Sequence, residues 1–253
     1  MDDFFAGSAF LRGFAQLFEL GPEEADQLRP LEMEYSEVPA RRTIVEEGRS
    51  YDFALIVRSG WLLEYKLLRN GKRQVLNFRL PGEIAAIDCL AYAKMPHSVA
   101  ALSRSVVSRL PLKAFHEIQR RYPRLGSALF LMTLREEAIL HQWEVSLGRR
   151  DATGRLAHLF LELHRRLQLR GLADSTSFEL PAKQEDLADA LGLTTPYVNR
   201  MLQAMRGDGL IELNGRAVIL SDMKRLAQHA GFKGNYLDGW GSGTASQERR
   251  TPL

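Results

Sequence analysis

The stretch with the clearest chemistry runs from Gln184 to Leu202, where small, apolar and basic side chains recur at helical spacing. Ala188 supplies a small residue where two helices would cross, and Gly192 supplies the turn between them. The apolar positions that would face inward are Leu187, Leu191, Leu193, Val198, Met201 and Leu202. This combination is typical of a helix-turn-helix, whose second helix enters the major groove of DNA.

The outward face of the second predicted helix is polar and basic, as reading base edges in the major groove requires. Its members are Thr194, Thr195, Pro196, Asn199, Arg200 and Gln203. Arg216 follows an Asn214-Gly215 turn in a predicted hairpin from Leu210 to Leu220, which would add a wing to the motif. The alternative is a solvent-facing helix pair in an unrelated domain, because such pairs also need small residues at the turn.

The elements that precede this motif predict an antiparallel barrel or β-roll over about residues 38 to 112. Glycines recur there at nearly constant spacing, at Gly48, Gly60, Gly71 and Gly82, with short β-branched and aromatic runs between them. Asn70-Gly71 predicts a two-residue type I′ turn, which needs positive φ at both positions. A short helical lead, Leu11 to Phe18 and Pro22 to Leu31, comes before the roll.

One long helix is predicted from Tyr122 to about Gly148, since no glycine or proline lies between Ser127 and Leu147. A seam with three- and four-residue spacing runs along it through Leu129, Met132, Glu136, Ile139, Trp143 and Ser146. We interpret the seam as a two-stranded dimer contact made by Leu129, Met132, Ile139 and Trp143. The alternative is an ordinary packing helix.

The sequence therefore predicts an α+β chain in consecutive parts: a β-roll with its helical lead (residues 1–120), a dimerisation helix (121–148) and a winged helix-turn-helix (149–232). Residues 233–253 are rich in glycine, serine and charge and are expected to be disordered. The formal net charge of +3 lies wholly in residues 148–253, because the preceding 147 residues balance to zero. This small excess agrees with a nucleic-acid partner but also suits an ordinary solvated surface.

Composition excludes several other classes of protein. With 45% hydrophobic and 26% charged residues, the chain has the profile of a globular protein. Its single cysteine, Cys89, allows no intrachain disulfide and no four-thiolate iron–sulfur cluster. The acidic N-terminus and the lack of a long apolar run predict a cytoplasmic protein with no membrane contact.

Neither a metal site nor an enzyme active site is expected. The six histidines are scattered along the chain, at His97, His116, His141, His158, His164 and His229, without metal-ligand spacing. His97 has an alternative role as a haem ligand or as a grip for an anionic effector. We find no Ser/His/Asp order, Walker loop or dinucleotide fingerprint, so we expect no catalysis.

From about Arg41 to Phe232 the chain resembles the bacterial transcription regulators of the cyclic-AMP receptor protein and FNR family. Leu80-Pro81-Gly82-Glu83-Ile84 is similar to the family's turn into its effector cassette, and Gln184 through Leu202 to its DNA-reading motif. The resemblance implies that Arg200 reaches a guanine, that Gln184 holds a phosphate, and that the homodimer contacts RNA polymerase. Pro196 replaces a glutamate frequent in the family, so the operators of its best-studied members are not expected here.

The predicted effector site departs from the family pattern. Members that bind cyclic AMP have a Gly-Glu pair and an Arg-Ser pair, where this chain has Ala86-Ile87 and His97-Ser98. A histidine that is mostly neutral near pH 7 is a poor substitute for a phosphate-binding arginine. We therefore expect an effector other than cyclic AMP and assign no cofactor. Oxygen sensing of the FNR type would need an N-terminal cysteine cluster, which Cys89 alone cannot supply.

Taken together, these features predict a homodimeric, sequence-specific DNA-binding transcription regulator whose input is unidentified. The alternative is a regulatory subunit that uses the roll and the winged domain for protein–protein contacts. Salt dependence separates the two, because neutralising DNA phosphates makes affinity fall steeply with ionic strength, whereas an apolar protein contact does not show that dependence.

Overall fold

Two four-stranded antiparallel sheets form the N-terminal domain in the computed structural model, which describes residues 7–16 and 20–238. The strand orders are β1-β8-β3-β6 and β2-β7-β4-β5, so neighbouring strands come from distant parts of the sequence, as in a roll. The strands are β1 (Tyr35–Val38), β2 (Thr43–Val45), β3 (Phe53–Ser59), β4 (Leu62–Leu67), β5 (Arg73–Arg79), β6 (Ile84–Ala85), β7 (Ser98–Ala101) and β8 (Ser105–Pro111).

Two short helices precede the roll, α1 (Ala9–Ala15) and α2 (Pro22–Leu28), followed by a 3-10 turn, Arg29–Glu32. The hydroxyl of Ser8 caps α1 by accepting a hydrogen bond from the Leu11 amide. Apolar side chains of α1 are buried in the core of the roll, which is why a short helix is stable there. Residues 17 and 18 of the predicted lead lie outside the described residues.

The regularly spaced glycines do lie at turns of the roll, and all four have positive φ. Gly82 is required by space as well, because a Cβ there would come within 2.4 Å of the Ala9 carbonyl oxygen. The prediction of a type I′ turn at Asn70-Gly71 is wrong, because that turn needs positive φ at both residues. Gly71 has φ of 79°, but Asn70 does not have positive φ. The chain turns through Leu68–Gly71 instead, with the Gly71 amide donating to the Leu68 carbonyl.

Helix α3 (Leu112–Arg121) leads into the 27-residue helix α4 (Pro123–Arg149), which closely matches the predicted long helix. The predicted dimer residues Leu129, Met132, Ile139 and Trp143 are all buried against their own chain. The first pair packs under the roll, and the second pair packs in a core shared with the C-terminal domain. The structure thus assigns this seam to intrachain packing and corrects the prediction that it meets a partner.

The C-terminal domain combines four helices with a small antiparallel sheet of order β10-β11-β9. Its elements are α5 (Ala152–Gln168), β9 (Ser177–Glu179), α6 (Gln184–Leu191), α7 (Thr195–Gly207), β10 (Glu212–Asn214), β11 (Ala217–Ile219) and α8 (Met223–Ala230). Asp151 caps α5, accepting a hydrogen bond from the Gly154 amide at 2.7 Å. A single apolar core runs from Phe78 of the roll through Trp143 to Phe160 of α5, so the roll and this domain pack together.

The segment after α8 folds back onto α5, at least as far as Asp238. Leu237 is fully buried, and the hydroxyl of Tyr236 donates to Oε2 of Glu162 over 3.0 Å. The expectation of disorder from residue 233 is therefore wrong for residues 233–238, because an aromatic and a leucine side chain within the glycine-rich stretch have a core to enter. Residues 239–253 of that prediction lie outside the described residues.

Candidate nucleic-acid interface

Helices α6 and α7 cross at a turn whose conformation depends on one glycine. Gly192 ends α6 with φ of 65°, a left-handed conformation that costs glycine little. The amide of Leu193 then donates to the Ala188 carbonyl, which fixes the turn. The predicted inward set is buried or partly buried, at Leu187, Leu191, Leu193, Val198, Met201 and Leu202. The helix-turn-helix predicted from sequence is present.

The outward face of α7 presents every residue predicted for it. The side chains of Thr194, Thr195, Pro196, Asn199, Arg200 and Gln203 are all exposed. Thr194 occupies the N-cap position without a side-chain hydrogen bond to the helix, so its hydroxyl is not used in capping. These residues form one polar surface that an external partner can reach.

Gln184 joins this surface although it belongs to the preceding helix. Nδ2 of Asn199 donates to Oε1 of Gln184 over 3.1 Å, across the turn between α6 and α7. This bond directs the side-chain oxygen of Gln184 toward Asn199, and the side-chain nitrogen of Gln184 carries two N–H donors. The sequence placed both residues at the interface but gave no sign that they bind each other.

A residue that the sequence analysis missed lies beside Arg200. The Arg200 guanidinium carbon is 5.1 Å from the centroid of the Tyr197 ring, in cation–π range. The two residues are three apart on α7, so their side chains share a face of the helix. The sequence signal that could have identified Tyr197 is an aromatic residue one turn before an outward-facing arginine.

The wing residue Arg216 lies in the turn of the β10–β11 hairpin and is 70% exposed along its side chain. Its nearest acidic partner is Glu179, 3.9 Å away and equally exposed, so the pair contributes little energy. Lys183 and Arg206 are also exposed in this domain. The helix-turn-helix and its wing therefore carry cations that an anionic partner could bind.

In the roll, the predicted effector residues are only partly brought together. His97 and Ala86 converge on Glu64, a carboxylate that the sequence analysis did not consider. Nε2 of His97 lies 3.7 Å from Oε1 of Glu64 and 3.8 Å from Oδ2 of Asp88, and the Ala86 amide donates to the same Glu64 oxygen over 3.3 Å. The hydroxyl of Ser98 instead accepts a hydrogen bond from the Glu47 amide.

The charges in this cluster favour the ionised form of the buried Glu64 side chain. Burial alone would raise the pKa of Glu64, but Arg79, whose Nη2 lies 2.9 Å away, and His97 outweigh it and hold the pKa at about 2. Burial would lower the pKa of His97, yet Glu64 and Asp88 raise it above its ordinary value. A proton on His97 would thus face two carboxylates of the protein itself, so the cluster does not leave a free anion site.

Ile87 lines a different space, a cavity of about 50 Å³ between the roll and α4. Its apolar wall is Ile84, Ile87, Leu129 and Met132, and its polar wall is Arg79, Glu83, Thr133 and Glu136. Pockets for drug-sized ligands usually measure about 300 Å³ or more, so this cavity does not admit a nucleotide as it stands.

Metal ligands do not gather anywhere in the described residues, where no group of three His, Cys, Asp or Glu side chains is placed to hold an ion. Cys89 is buried as a free thiol, and burial with nearby Asp88 raises its pKa to about 11. Within residues 7–16 and 20–238, no helix combines the length and apolar character needed to cross a membrane.

Comparison with known proteins agrees with this architecture. The Crp-like helix-turn-helix domain family matches residues 154–229, and the cyclic nucleotide-binding domain family matches residues 35–122. Transcriptional activator protein FnrL of Cereibacter sphaeroides is 31% identical over 214 residues, covering 82% of this chain and 86% of its own. The fumarate and nitrate reduction regulatory protein of Escherichia coli K12 is 25% identical over 218 residues, covering 86% and 87%.

Among solved structures, FixK2 from Bradyrhizobium japonicum superposes with a TM-score of 0.70 at 26% identity, covering 77% of this chain and 96% of that one. Of these relatives, FnrL is a transcriptional activator protein and the Escherichia coli protein is a regulatory protein of fumarate and nitrate reduction. The sequence relationship to FnrL extends over both domains. The chain therefore belongs to the CRP/FNR family of DNA-binding transcription regulators.

Proposed function

We propose that the protein acts in the cytoplasm as a homodimer that reads a two-fold symmetric DNA site through α7. The single observation that carries the proposal is the exposed polar face of α7, organised by the Asn199–Gln184 hydrogen bond and the Arg200–Tyr197 contact. Both contacts hold side chains at an exposed surface in defined positions, which base reading requires.

Arg200 is the base-reading residue in this proposal, because its planar guanidinium group can donate hydrogen bonds to both O6 and N7 of a guanine. Gln184 binds a phosphate through its side-chain nitrogen, since a phosphate oxygen accepts hydrogen bonds and the bond from Asn199 directs Oε1 away from it. The N-terminal turn of α7 and the wing supply the remaining contacts. These come from Thr194, Thr195, Pro196, Gln203 and Arg216.

The dimer contact is made by the half of α4 that faces away from the chain's own core. Large apolar side chains are exposed there, at Phe130, Leu134, Leu140, Val145 and Leu147, with Phe130 62% and Leu140 58% accessible. They are distributed over about 25 Å of the helix, from Phe130 to Leu147. A row of exposed apolar residues of this length is unfavourable in water and suits the same helix of a second copy.

The input at the roll is an effector other than cyclic AMP. A nucleotide phosphate placed at His97 would meet the carboxylates of Glu64 and Asp88 within 4 Å of the ring nitrogen. We assign that input to the part of the roll that carries Ala86, Ile87, His97 and Ser98. The supporting observation is that Ala86 and His97 both approach Glu64 and that Ile87 lines the cavity beside α4. We further propose that the DNA-bound dimer contacts RNA polymerase, as the family relationship suggests.

A binding-site selection on random duplex DNA tests the proposal, followed by affinity measurements on the selected site at several salt concentrations. We expect a palindromic consensus and an affinity that falls steeply as salt rises, because phosphate contacts release counterions. Absence of any enriched sequence would contradict DNA reading through α7. Enriched sites with a single half-site would contradict the dimer only.

A further inference from the structure

Two arginines of the roll hold the first helix of the helix-turn-helix. Arg41, between β1 and β2, donates from Nη1 and Nη2 to the two carboxylate oxygens of Asp186, over 2.7 and 2.8 Å. Arg73, at the start of β5, donates to Asp189 over 2.7 Å and to Asp186 over 2.8 Å. We call these four residues the interdomain clamp. It joins the sensor side of the chain to α6 through charge-assisted hydrogen bonds.

The clamp differs from an ordinary surface ion pair because its central carboxylate is fully buried. The side chain of Asp186 is 0% exposed and also accepts a hydrogen bond from the Lys183 amide, which caps α6. Burial would raise the pKa of Asp186, but Arg41, the Lys183 amide and Arg73 outweigh it and lower the pKa. A buried charge of this kind is stable only while its partners stay in place.

The backbone of Arg41 gives a second, independent observation. Its φ is +68°, and Ala86 is the only other non-glycine residue with positive φ in the described part of the chain. Its amide donates to the Ala101 carbonyl over 2.7 Å, which holds the residue in this conformation. Glycine would take this backbone without strain, whereas an arginine here carries a cost in backbone energy.

The position of α6, which the clamp holds against the roll, determines the position of α7, the helix proposed to read DNA. Leu187 and Leu191 of α6 are buried in the same core as Val198 of α7, so the two helices move together. A rotation of α6 relative to the roll would therefore rotate the exposed face of α7 by the same angle. Because each protomer of a dimer carries one reading helix, such a turn changes the separation between the two.

We propose that Arg41 and Arg73 are positioning residues for DNA reading: they fix the direction of α7 relative to the roll and so set the half-site spacing that the dimer accepts. The proposal rests on the proposed dimer for its effect on spacing. Its effect on domain orientation belongs to the single chain and can be measured separately. A purely structural role would change stability but not the preferred spacing.

The test uses the full chain carrying Arg41→Gly and Arg73→Ala. Glycine at position 41 accepts the positive φ, so this variant loses the clamp without added backbone strain. Arg49→Ala with Arg104→Ala is the matched control, because it removes two exposed roll arginines that pair within the roll, with Glu46 and Glu37. Dissociation constants are measured for one half-site and for palindromes whose spacer is changed by one base pair in either direction.

We expect the clamp variant to keep the base preference of the wild type on a half-site. On the best palindrome its affinity should fall about tenfold or more, and its preference among spacers should flatten, because two-site binding is lost when geometry forbids joint engagement. The control should behave as the wild type. A clamp variant with the wild-type spacer preference would overturn the proposal, as would one that loses base preference on the half-site.

A distance measurement keeps the proposal testable in the single chain. Spin labels at Lys94→Cys on the roll and Lys224→Cys on α8, in a Cys89→Ala background, report the distance between the domains without DNA. The distribution should be narrow for the wild type and control and broad for the clamp variant; equal widths would overturn the proposal. If the double variant does not fold, Arg73→Ala alone is judged by the same two criteria. If the wild type binds half-sites as tightly as palindromes, the dimer proposal is wrong. The proposal about domain orientation is then judged by the widths of the distance distributions alone.

Discussion

Asn199 and Gln184 bind each other across the helix-turn-helix, with Nδ2 of Asn199 donating to Oε1 of Gln184 over 3.1 Å. The bond gives each amide a fixed orientation. Gln184 is left with donor hydrogens for a phosphate, and Asn199 is left with an acceptor oxygen. The two residues therefore contribute different chemistry to one surface, and substitutions at this surface should be distinguishable by which property of binding they change.

Arg200→Ala should cost about 1 to 3 kcal/mol of binding free energy on the preferred site and flatten discrimination at one base pair in each half-site. The reason is that the Arg200 guanidinium, which lies against the Tyr197 ring, is the group that distinguishes guanine from the other bases. Binding-site selection on the wild type and the variant measures this. If the variant keeps the wild-type preference at every position, Arg200 does not read a base.

Gln184→Ala should weaken binding to all sequences nearly equally and leave their order of preference intact. A phosphate contact positions the protein but carries no base identity. Competition assays against a panel of single-base variants of the site give both quantities. A change of preference confined to one base pair would show that Gln184 reaches a base instead.

Leu140→Asp should give monomers with little loss of folding stability, because Leu140 is exposed on the single chain. Sedimentation velocity measures the oligomeric state, and thermal unfolding measures stability. Ile139→Ala is the contrasting variant: it should lower the free energy of unfolding by about 2 to 5 kcal/mol, since Ile139 is buried in the chain's own core. A dimeric Leu140→Asp protein would remove the outward face of α4 as the interface.

Cyclic AMP at 1 mM should leave the unfolding temperature unchanged. A dissociation constant of about 10 μM would place this concentration near 100 times Kd and stabilise the fold by about 2.7 kcal/mol, a readily measured shift. Adenosine 5′-monophosphate serves as the matched control. A saturable upward shift with the cyclic nucleotide alone would mean that the Glu64–His97 cluster opens to receive it.

His158 should make the protein lose stability as pH falls below 6.5. Burial, with the charge of Arg150 as a smaller cause, lowers the pKa of His158 to about 3. Between pH 6.5 and that value, the unfolded chain binds a proton that the folded chain does not, so this group removes about 1.4 kcal/mol per pH unit. The free energy of unfolding, measured by urea denaturation between pH 7 and 5, should fall less steeply for His158→Gln.

The exposed His116 provides the control for this measurement, through His116→Gln. The slope of stability against pH is measured for this variant, for His158→Gln and for the wild type under the same conditions. Equal slopes for His158→Gln and the wild type would show that the buried imidazole is not the group that titrates. The pH range stays above the region where the carboxylates of Glu64 and Glu83, whose pKa values are about 2, begin to take up protons on unfolding.

The roll and the helix-turn-helix were predictable from sequence because their signals are local. Gly82 marks a turn by its need for positive φ, and Gly192 ends α6 for the same reason. Pro196 and the apolar spacing around it fix where α7 begins and which way it faces. Each of these features depends on residues within one or two turns of one another.

The side of α4 that stays exposed on the single chain was not predictable, because the helix has apolar residues on both faces. Ile139 and Leu140 are neighbours in sequence, yet one is buried in the chain and the other is exposed. Only the packing of the roll and of α5 decides between them. Likewise, no local pattern indicates that Tyr236 hydrogen-bonds to Glu162, 74 residues away.

Asp186 serves two purposes with one carboxylate, since it caps the start of α6 and accepts the arginines of the roll. A substitution at this position would change both at once. Variation that changes the clamp without disturbing the start of α6 is confined to Arg41, Arg73 and Asp189, since only Asp186 also caps the helix. Two of these three positions lie in the roll, so divergence of spacing preference among descendants of this protein should begin there more often than in α6, far along the chain from the residues proposed to contact bases.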